Sequence, residues 1–137
     1  MSRWWSAGGL LISTFTLATT CPTVSPDTVP NGAWGGDHIG MVVTDTGATI
    51  EYDCAAGKIT DRMNLNSRGD FDVRGVHYPG HGGPARIDEP RNEHAARYTG
   101  HATSAEMTIT LQLTDTVFSP QTFHLVFGQS PHVFKCL

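Results

Sequence analysis

Apolar and polar residues alternate one by one along most of the chain after residue 38, and this period of two is the feature that most restricts the fold. In ATIEYDC, for example, Ile50, Tyr52 and Cys54 fall on one side and Thr49 and Glu51 on the other. Successive side chains of a β-strand point to opposite faces, so such a segment is predicted to be a strand with one buried face. The same pattern recurs in MVVT, DFDV, MTITLQL and TFHLVF, and the sequence therefore predicts an all-β protein.

About eight strands are predicted between residues 34 and 137, separated by turns rich in Gly, Asp and Ser. An antiparallel sheet of this size has two edges whose unpaired backbone groups favour aggregation, and closure into a barrel removes both edges. We therefore predict a single antiparallel β-barrel or strongly curled sheet. A two-sheet sandwich is the alternative that the same periodicity allows. Gly75, which interrupts the alternation in DFDVRGVHY, is expected to form a β-bulge.

The N-terminal part of the chain has a different pattern. Residues 1–20 are typical of a secretory signal peptide, with a basic start at Arg3, an apolar run and then small residues. The run is shorter than the roughly 20 apolar residues that a membrane-spanning helix needs. Residues 21–33, CPTVSPDTVPNGA, hold three prolines and no hydrophobic period, so they are predicted to be a linker. The barrel-like domain is expected to occupy residues 34–137.

The chain has three cysteines, and an odd number in an exported protein indicates one pair and one cysteine with a separate role. Cys54 and Cys136 are the predicted pair, with inward-pointing side chains, in an oxidising compartment. The alternative is that both are small buried residues that never meet. Cys21 follows the signal peptide, so it is a candidate for lipid attachment. Plain cleavage after Ala18 fits the sequence about as well.

Acidic residues outnumber basic ones, with 13 Asp plus Glu against 9 Lys plus Arg and a net charge of −4. No extended basic field is available to hold nucleic acid or anionic lipid, so neither is expected as a partner, and a membrane would be reached only through a lipid on Cys21. No motif of a catalytic site or of a cofactor site is recognisable. We therefore predict no cofactor and no enzymatic activity.

The segment VHYPGHGGPARIDEPRNEH, residues 76–94, is the richest in groups that carry chemistry. His77, His81 and His94 could supply three ligands to zinc, which takes four in a tetrahedral arrangement. The glycines and prolines between them fix no geometry, and the pattern lacks the helix of a zinc-protease motif. The favoured interpretation is a solvated connection between two strands.

Trp34, followed by two glycines, precedes the first alternating segment. A large aromatic residue there can plug the end of a barrel or line the mouth of a ligand cavity. We favour the plug because side chains alone can fill an eight-stranded barrel. Asp37 is expected to be a turn residue and His38 an outward-facing strand residue.

Several stretches of the sequence resemble the corresponding stretches of a known group of proteins. At WGGDHIGMVVTDTGATIEYDCAAGKI, and again at GGPARI, ARYTG, MTITLQLTDT, FHLVFG and KCL, the chain resembles a family of small exported bacterial proteins of unassigned function. The resemblance covers nearly all of residues 34–137. It implies a common fold and a common cysteine pair, Cys54 and Cys136, and it carries no activity and no catalytic residues.

These interpretations together predict an exported binding or structural module of the cell envelope. Its partner would be a small ligand or an envelope protein, and its location periplasmic, lipid-anchored at the membrane or extracellular. Two alternatives remain. One is a metal-dependent hydrolase that uses the loop histidines, and the other is a lipocalin-like carrier of a small apolar ligand with Trp34 at the entrance.

Overall fold

The computed structural model describes residues 16–19, 26–84 and 86–137. The strands are β1 (Gly32–Gly36), β2 (Ile39–Thr44), β3 (Gly47–Tyr52), β4 (Ala55–Ile59), β5 (Asp70–Pro79), β6 (His94–Ala102), β7 (Glu106–Leu113) and β8 (Gln121–Phe127). Among these residues no helix is long and apolar enough to cross a membrane. The prediction of an all-β domain is confirmed.

The sheet closes on itself. Each strand pairs antiparallel with the next, and β8 returns to β1 through the pairs Trp34–Phe127 and Gly35–Val126. The result is the predicted eight-stranded barrel in up-and-down order, not the sandwich. Closure leaves no strand of the sheet with an open edge.

The interior is filled by side chains. One face of every strand points inward, and twenty hydrophobic residues of the described chain are buried. Trp34, Tyr98 and Leu125 are at most 1% exposed. This filling is what is expected when eight strands close into a barrel.

Two interior glycines make room for the largest side chains. The expected bulge at Gly75 is wrong, because the register runs through it without interruption, from Ile59 on one side to Ala96 on the other. A Cβ atom at Gly75 would lie 2.9 Å from a ring carbon of Tyr98, and one at Gly57 would lie 2.5 Å from the Tyr98 hydroxyl. Glycine is needed at Gly75 for space, not for a change of strand register.

One end of the barrel is closed by apolar residues, and part of the predicted linker contributes to it. Val29 and Met63 are each 1% exposed, and the Val29 N–H donates to the Met63 carbonyl at 3.0 Å. The Leu65 N–H donates to the Asp27 carbonyl at 2.8 Å. We call this end, with Val29, Met63 and Leu65, the plug end. Residues 26–33, the described part of the predicted linker, therefore pack on the barrel. β1 begins within this predicted linker, at Gly32.

After β8 the chain runs along the outside of the barrel to the opposite end. Residues 129–131 pass over Gly35 and Gly40, where a Cβ would overlap the Gln129 carbonyl or lie 2.8 Å from Pro131 Cβ. The backbone of His132 then pairs with that of Asp37 in an isolated parallel β-bridge. We call residues 129–137 the strap. Residues 132–137 form no strand of the sheet, because the barrel is already closed by β1 and β8.

Candidate functional site

The end of the barrel opposite the plug collects the long connections. It carries the turns at 37–38 and 53–54, the loops 80–93 and 114–120, and the end of the strap. We call it the loop end. Binding residues concentrate on loops that a rigid scaffold holds, so the loop end is where a binding site is expected.

The 80–93 loop folds back over the outer face of the barrel. Its start is fixed by the Gly80 N–H, which donates to the Cys54 carbonyl at 2.8 Å. Glu89 organises its middle, because one carboxylate oxygen lies 3.1 Å from His81 Nε2 and the other accepts from the Arg86 backbone N–H at 3.4 Å. The segment connects β5 to β6 with exposed side chains at residues 80–84 and 86–93, as the favoured interpretation has it, and it also forms internal polar contacts.

A groove of about 700 Å³ lies between this loop and the outer face of β3, β4 and β5. Its floor has the small residues Thr49 and Ala56, which stand opposite Lys58 and Tyr78 in the strand register. We call it the loop groove. Besides these four, it is lined by Ile50, Gly57, Pro79, His81, Arg86, Ile87, Glu89, Pro90, Arg91 and Asn92.

The loop groove concentrates positive charge. In the described chain no carboxylate forms a salt bridge with Lys58, Arg86 or Arg91. The one carboxylate that lines the groove, Glu89, is paired with His81. Three cations of a chain with net charge −4 therefore line one cleft with no salt bridge to any residue that the structure describes.

His77 lies inside the barrel and is only 7% exposed. Its ring centroid is 5.6 Å from that of Tyr52 and 6.1 Å from that of Phe118. Its Nδ1 atom is buried and has no hydrogen-bond partner among the described residues. Burial, and after it the charge of nearby His94, lowers the pKa of His77, because a protonated ring would lose its hydration there. His77 is thus a neutral core residue near the loop end.

The three histidines considered as zinc ligands lie in different surroundings. His77 is in the core, His81 pairs with Glu89 on the loop, and His94 Nδ1 lies 3.2 Å from an oxygen of Asp115. Within the ranges that the structure describes, no group of three or more His, Cys, Asp or Glu is arranged to hold a metal ion. The positions of these three histidines therefore do not support the hypothesis that they bind one zinc ion together.

Cys54 and Cys136 lie side by side at the loop end. Their Cα atoms are 4.8 Å apart, inside the range of disulfides, and the sulfur atoms are in bonding contact, which supports the predicted pair. The predicted inward orientation is wrong. Cys54 is exposed in the turn between β3 and β4, with φ of 54°, because β3 ends at Tyr52 and the alternation ends with it.

Asp53 holds the end of the strap. One carboxylate oxygen accepts from the Phe134 N–H at 2.7 Å and the other pairs with the His38 ring. The Phe134 hydrogen bond, and then the His38 hydrogen bond, lower the pKa of Asp53. His38 is not the predicted strand residue, since it has φ of 66° and forms with Asp37 the turn between β1 and β2.

Trp34 and Cys21 complete the set of predicted site residues. Trp34 is 1% exposed in β1, and its Nε1–H donates to the Pro30 carbonyl at 3.0 Å. So little exposure leaves no surface for a ligand, and Trp34 is a core residue instead of the mouth of a cavity. Cys21 and nearly all of the predicted signal peptide lie outside the described residues.

Sequence reasoning missed the residues that give the loop groove its character, namely Lys58, Tyr78, Arg86 and Arg91. Lys58 and Arg86 are far apart in the chain, and no local pattern connects them. Only the strand register and the path of the 80–93 loop place both along one groove.

Comparison with known proteins gives no match to this chain, whether with family models, with curated proteins or with solved structures. The resemblance to small exported bacterial proteins therefore stays a prediction.

Proposed function

We propose that this chain is an exported binding or structural module of the cell envelope, and that it binds its partner on its outer surface. The observation that carries the proposal is the contrast between a filled barrel interior and the open loop groove beside it.

The packed interior favours a binding surface on the outside. A carrier in the manner of lipocalins holds its ligand within the barrel, and here Trp34, Tyr98 and Leu125 occupy that space. Glycines at positions 57 and 75 let the Tyr98 side chain lie close to the barrel wall. Room for a ligand inside would require several of these side chains to move.

The loop groove has the size and the construction of a binding site. Ligand sites commonly have volumes of about 300 to 1,000 Å³, with a few polar groups among apolar ones. The floor is rigid because it is a barrel wall, whereas the other wall is a loop whose residues can differ without cost to the core. Ile87 presents an exposed apolar side chain at its rim.

Export is supported by the cysteine pair, because disulfides form and persist in oxidising compartments. The Cys54–Cys136 pair joins the strap to the turn that also holds the start of the 80–93 loop. A lipid on Cys21 would keep the barrel at the membrane surface, because Val29 is packed on the barrel only a few positions later.

Site-specific photo-crosslinking in intact cells tests the binding role. A benzophenone amino acid at Ile87, which lines the groove, is expected to capture an envelope component. The matched control is the same group at Val117, which is equally exposed at the loop end and does not line the groove. Equal capture from both positions, or none from Ile87, would contradict the proposal.

The intact mass of the protein from non-reduced cells tests export. We expect a chain shortened by the signal peptide and lighter by two hydrogens from the disulfide. An acyl mass on Cys21 would show the lipid anchor. An uncleaved chain with three free thiols would exclude the oxidising envelope compartment.

A further inference from the structure

We infer that the loop groove binds a saccharide chain that carries carboxylate or phosphate groups. The inference rests on the proposed function, because it names the class of ligand that the same groove takes. It is carried by the charges of the groove, by its flat apolar faces and by the closed sheet beneath it.

The charges select an anion. Lys58, Arg86 and Arg91 reach the groove from the barrel wall and from the loop, and none forms a salt bridge with a carboxylate of the described chain. A guanidinium group binds carboxylate or phosphate through two parallel hydrogen bonds, and an ammonium group adds a point charge. Cations from two sides of a cleft suit a ligand with several anionic groups along its length.

The apolar faces select a ligand with flat, partly hydrocarbon surfaces. Tyr78 is half-buried at one side of the floor, and Ile87 and Pro90 line the loop side. A pyranose ring has both an apolar face and polar edges, so it can lie on an aromatic ring while its substituents reach the cations. The side chains of Thr49 and Ala56 are small, so they leave room above the floor of the groove for the ring to approach.

The closed sheet disfavours an extended peptide. Peptides bind to sheets mainly by adding a strand to an open edge, and this barrel has none. Pro79 and Pro90 in the groove have no N–H to donate to a peptide carbonyl. Recognition must therefore use side chains, and the side chains present are suited to anionic groups and ring faces.

Titration calorimetry with the disulfide-intact protein tests the inference. The probes are tetragalacturonate and a glycerol phosphate hexamer, with uncharged galactotetraose and hexaglutamate peptide for comparison. We expect one or both of the anionic polyols to bind, with affinity that falls as salt is added. The double substitution Arg86→Gln and Arg91→Gln is expected to weaken that binding by at least about tenfold.

Arg68→Gln is the matched control, because Arg68 is exposed at the plug end and far from the groove. It should leave affinity unchanged. Binding that Arg68→Gln weakens as much as the double substitution, equal binding of galactotetraose, or tighter binding of hexaglutamate would each overturn the inference. So would the failure of both anionic polyols to bind.

The two proposals fail in different ways. If a crosslinker at Ile87 captures an envelope component and both anionic polyols fail to bind, the binding module stands and the saccharide inference falls. If an anionic polyol binds and Ile87 captures no more than Val117, the groove is an anion site and its role in the envelope falls.

Discussion

The plug end and the loop end of the barrel are held together by different kinds of interaction. The plug end is closed by Val29, Met63 and Leu65 with backbone hydrogen bonds between their segments. The loop end is held by the Cys54–Cys136 pair and by polar contacts. It also carries four of the five His–carboxylate pairs of the described chain, His38–Asp53, His81–Glu89, His94–Asp115 and His132–Asp37.

This difference separates stability from recognition. Apolar closure resists change, because each buried side chain touches many others. A cross-link with exposed polar contacts holds a surface in place while leaving most of its side chains open to solvent. The loop end can therefore hold the loop that carries Arg86 and Arg91 without weakening the core, while Lys58 lies on the adjoining barrel wall.

The largest expected effect is loss of the cross-link. Cys54→Ser should lower the free energy of unfolding by up to about 4.5 kcal/mol, because the bond closes a segment of 82 residues in the unfolded chain. Urea unfolding without reductant measures it, and Cys21→Ser is the control that should change nothing. A loss below about 1 kcal/mol would mean that the strap is held by its hydrogen bonds alone.

The second effect sharpens the contrast between the ends. Met63→Ala should lower the free energy of unfolding by about 3 kcal/mol, since it leaves a cavity under Val29. Ile87→Ala, at the exposed rim of the groove, should change it by less than about 0.5 kcal/mol. The comparison breaks down if the two substitutions have similar effects in the same urea series.

The third effect depends on pH through His77. Its pKa is lowered in the folded protein, so below about pH 6.5 the unfolded chain takes up a proton that the folded chain does not. The stability that neutral His77 provides is complete above that pH and is lost as pH falls toward the lowered pKa, by at most about 1.4 kcal/mol per pH unit. His77→Phe should flatten this slope, and the exposed-histidine control His124→Gln should not.

The smallest effect concerns the strap alone. Asp53→Asn removes the charged acceptor of the Phe134 N–H, so the Phe134 amide should exchange its hydrogen faster while global stability hardly changes. In the unchanged protein the protection is present above the ordinary carboxyl pKa and disappears as pH falls through the lowered pKa of Asp53. Asp45→Asn at the plug end should leave that amide as it was.

The strands and their closure could be predicted because the alternation of apolar residues is a local signal. Ile50 and Tyr52, or Ile109 and Leu111, report their buried face directly from the sequence. β1 was harder to recognise, since GAWGG has one large side chain and no alternation to display. Its place in the sheet comes from pairing with β2 and β8, which no short window of sequence contains.

The candidate site was less predictable for the same reason. The histidines at 77, 81 and 94 are close in sequence, yet the strand takes His77 inward and the loop carries His81 away. Lys58 and Arg91 are distant in sequence, and they line the same groove because Lys58 faces outward beneath the folded-back loop. Proximity along the chain pointed to the three histidines, whereas the strand register and the path of the loop bring together the residues of the loop groove.

The glycine positions under the strap bear on how the chain matures. Synthesis runs from the N-terminus, so Cys54 is made 82 positions before its partner, and in that interval Cys21 is the other cysteine already present. Gly35 and Gly40 leave room for residues 129–131 against the barrel, and the strap that they seat ends with Cys136 beside Cys54. A bulky residue at either glycine should yield molecules trapped with Cys21 joined to Cys54, and acylation of Cys21 would remove that competitor.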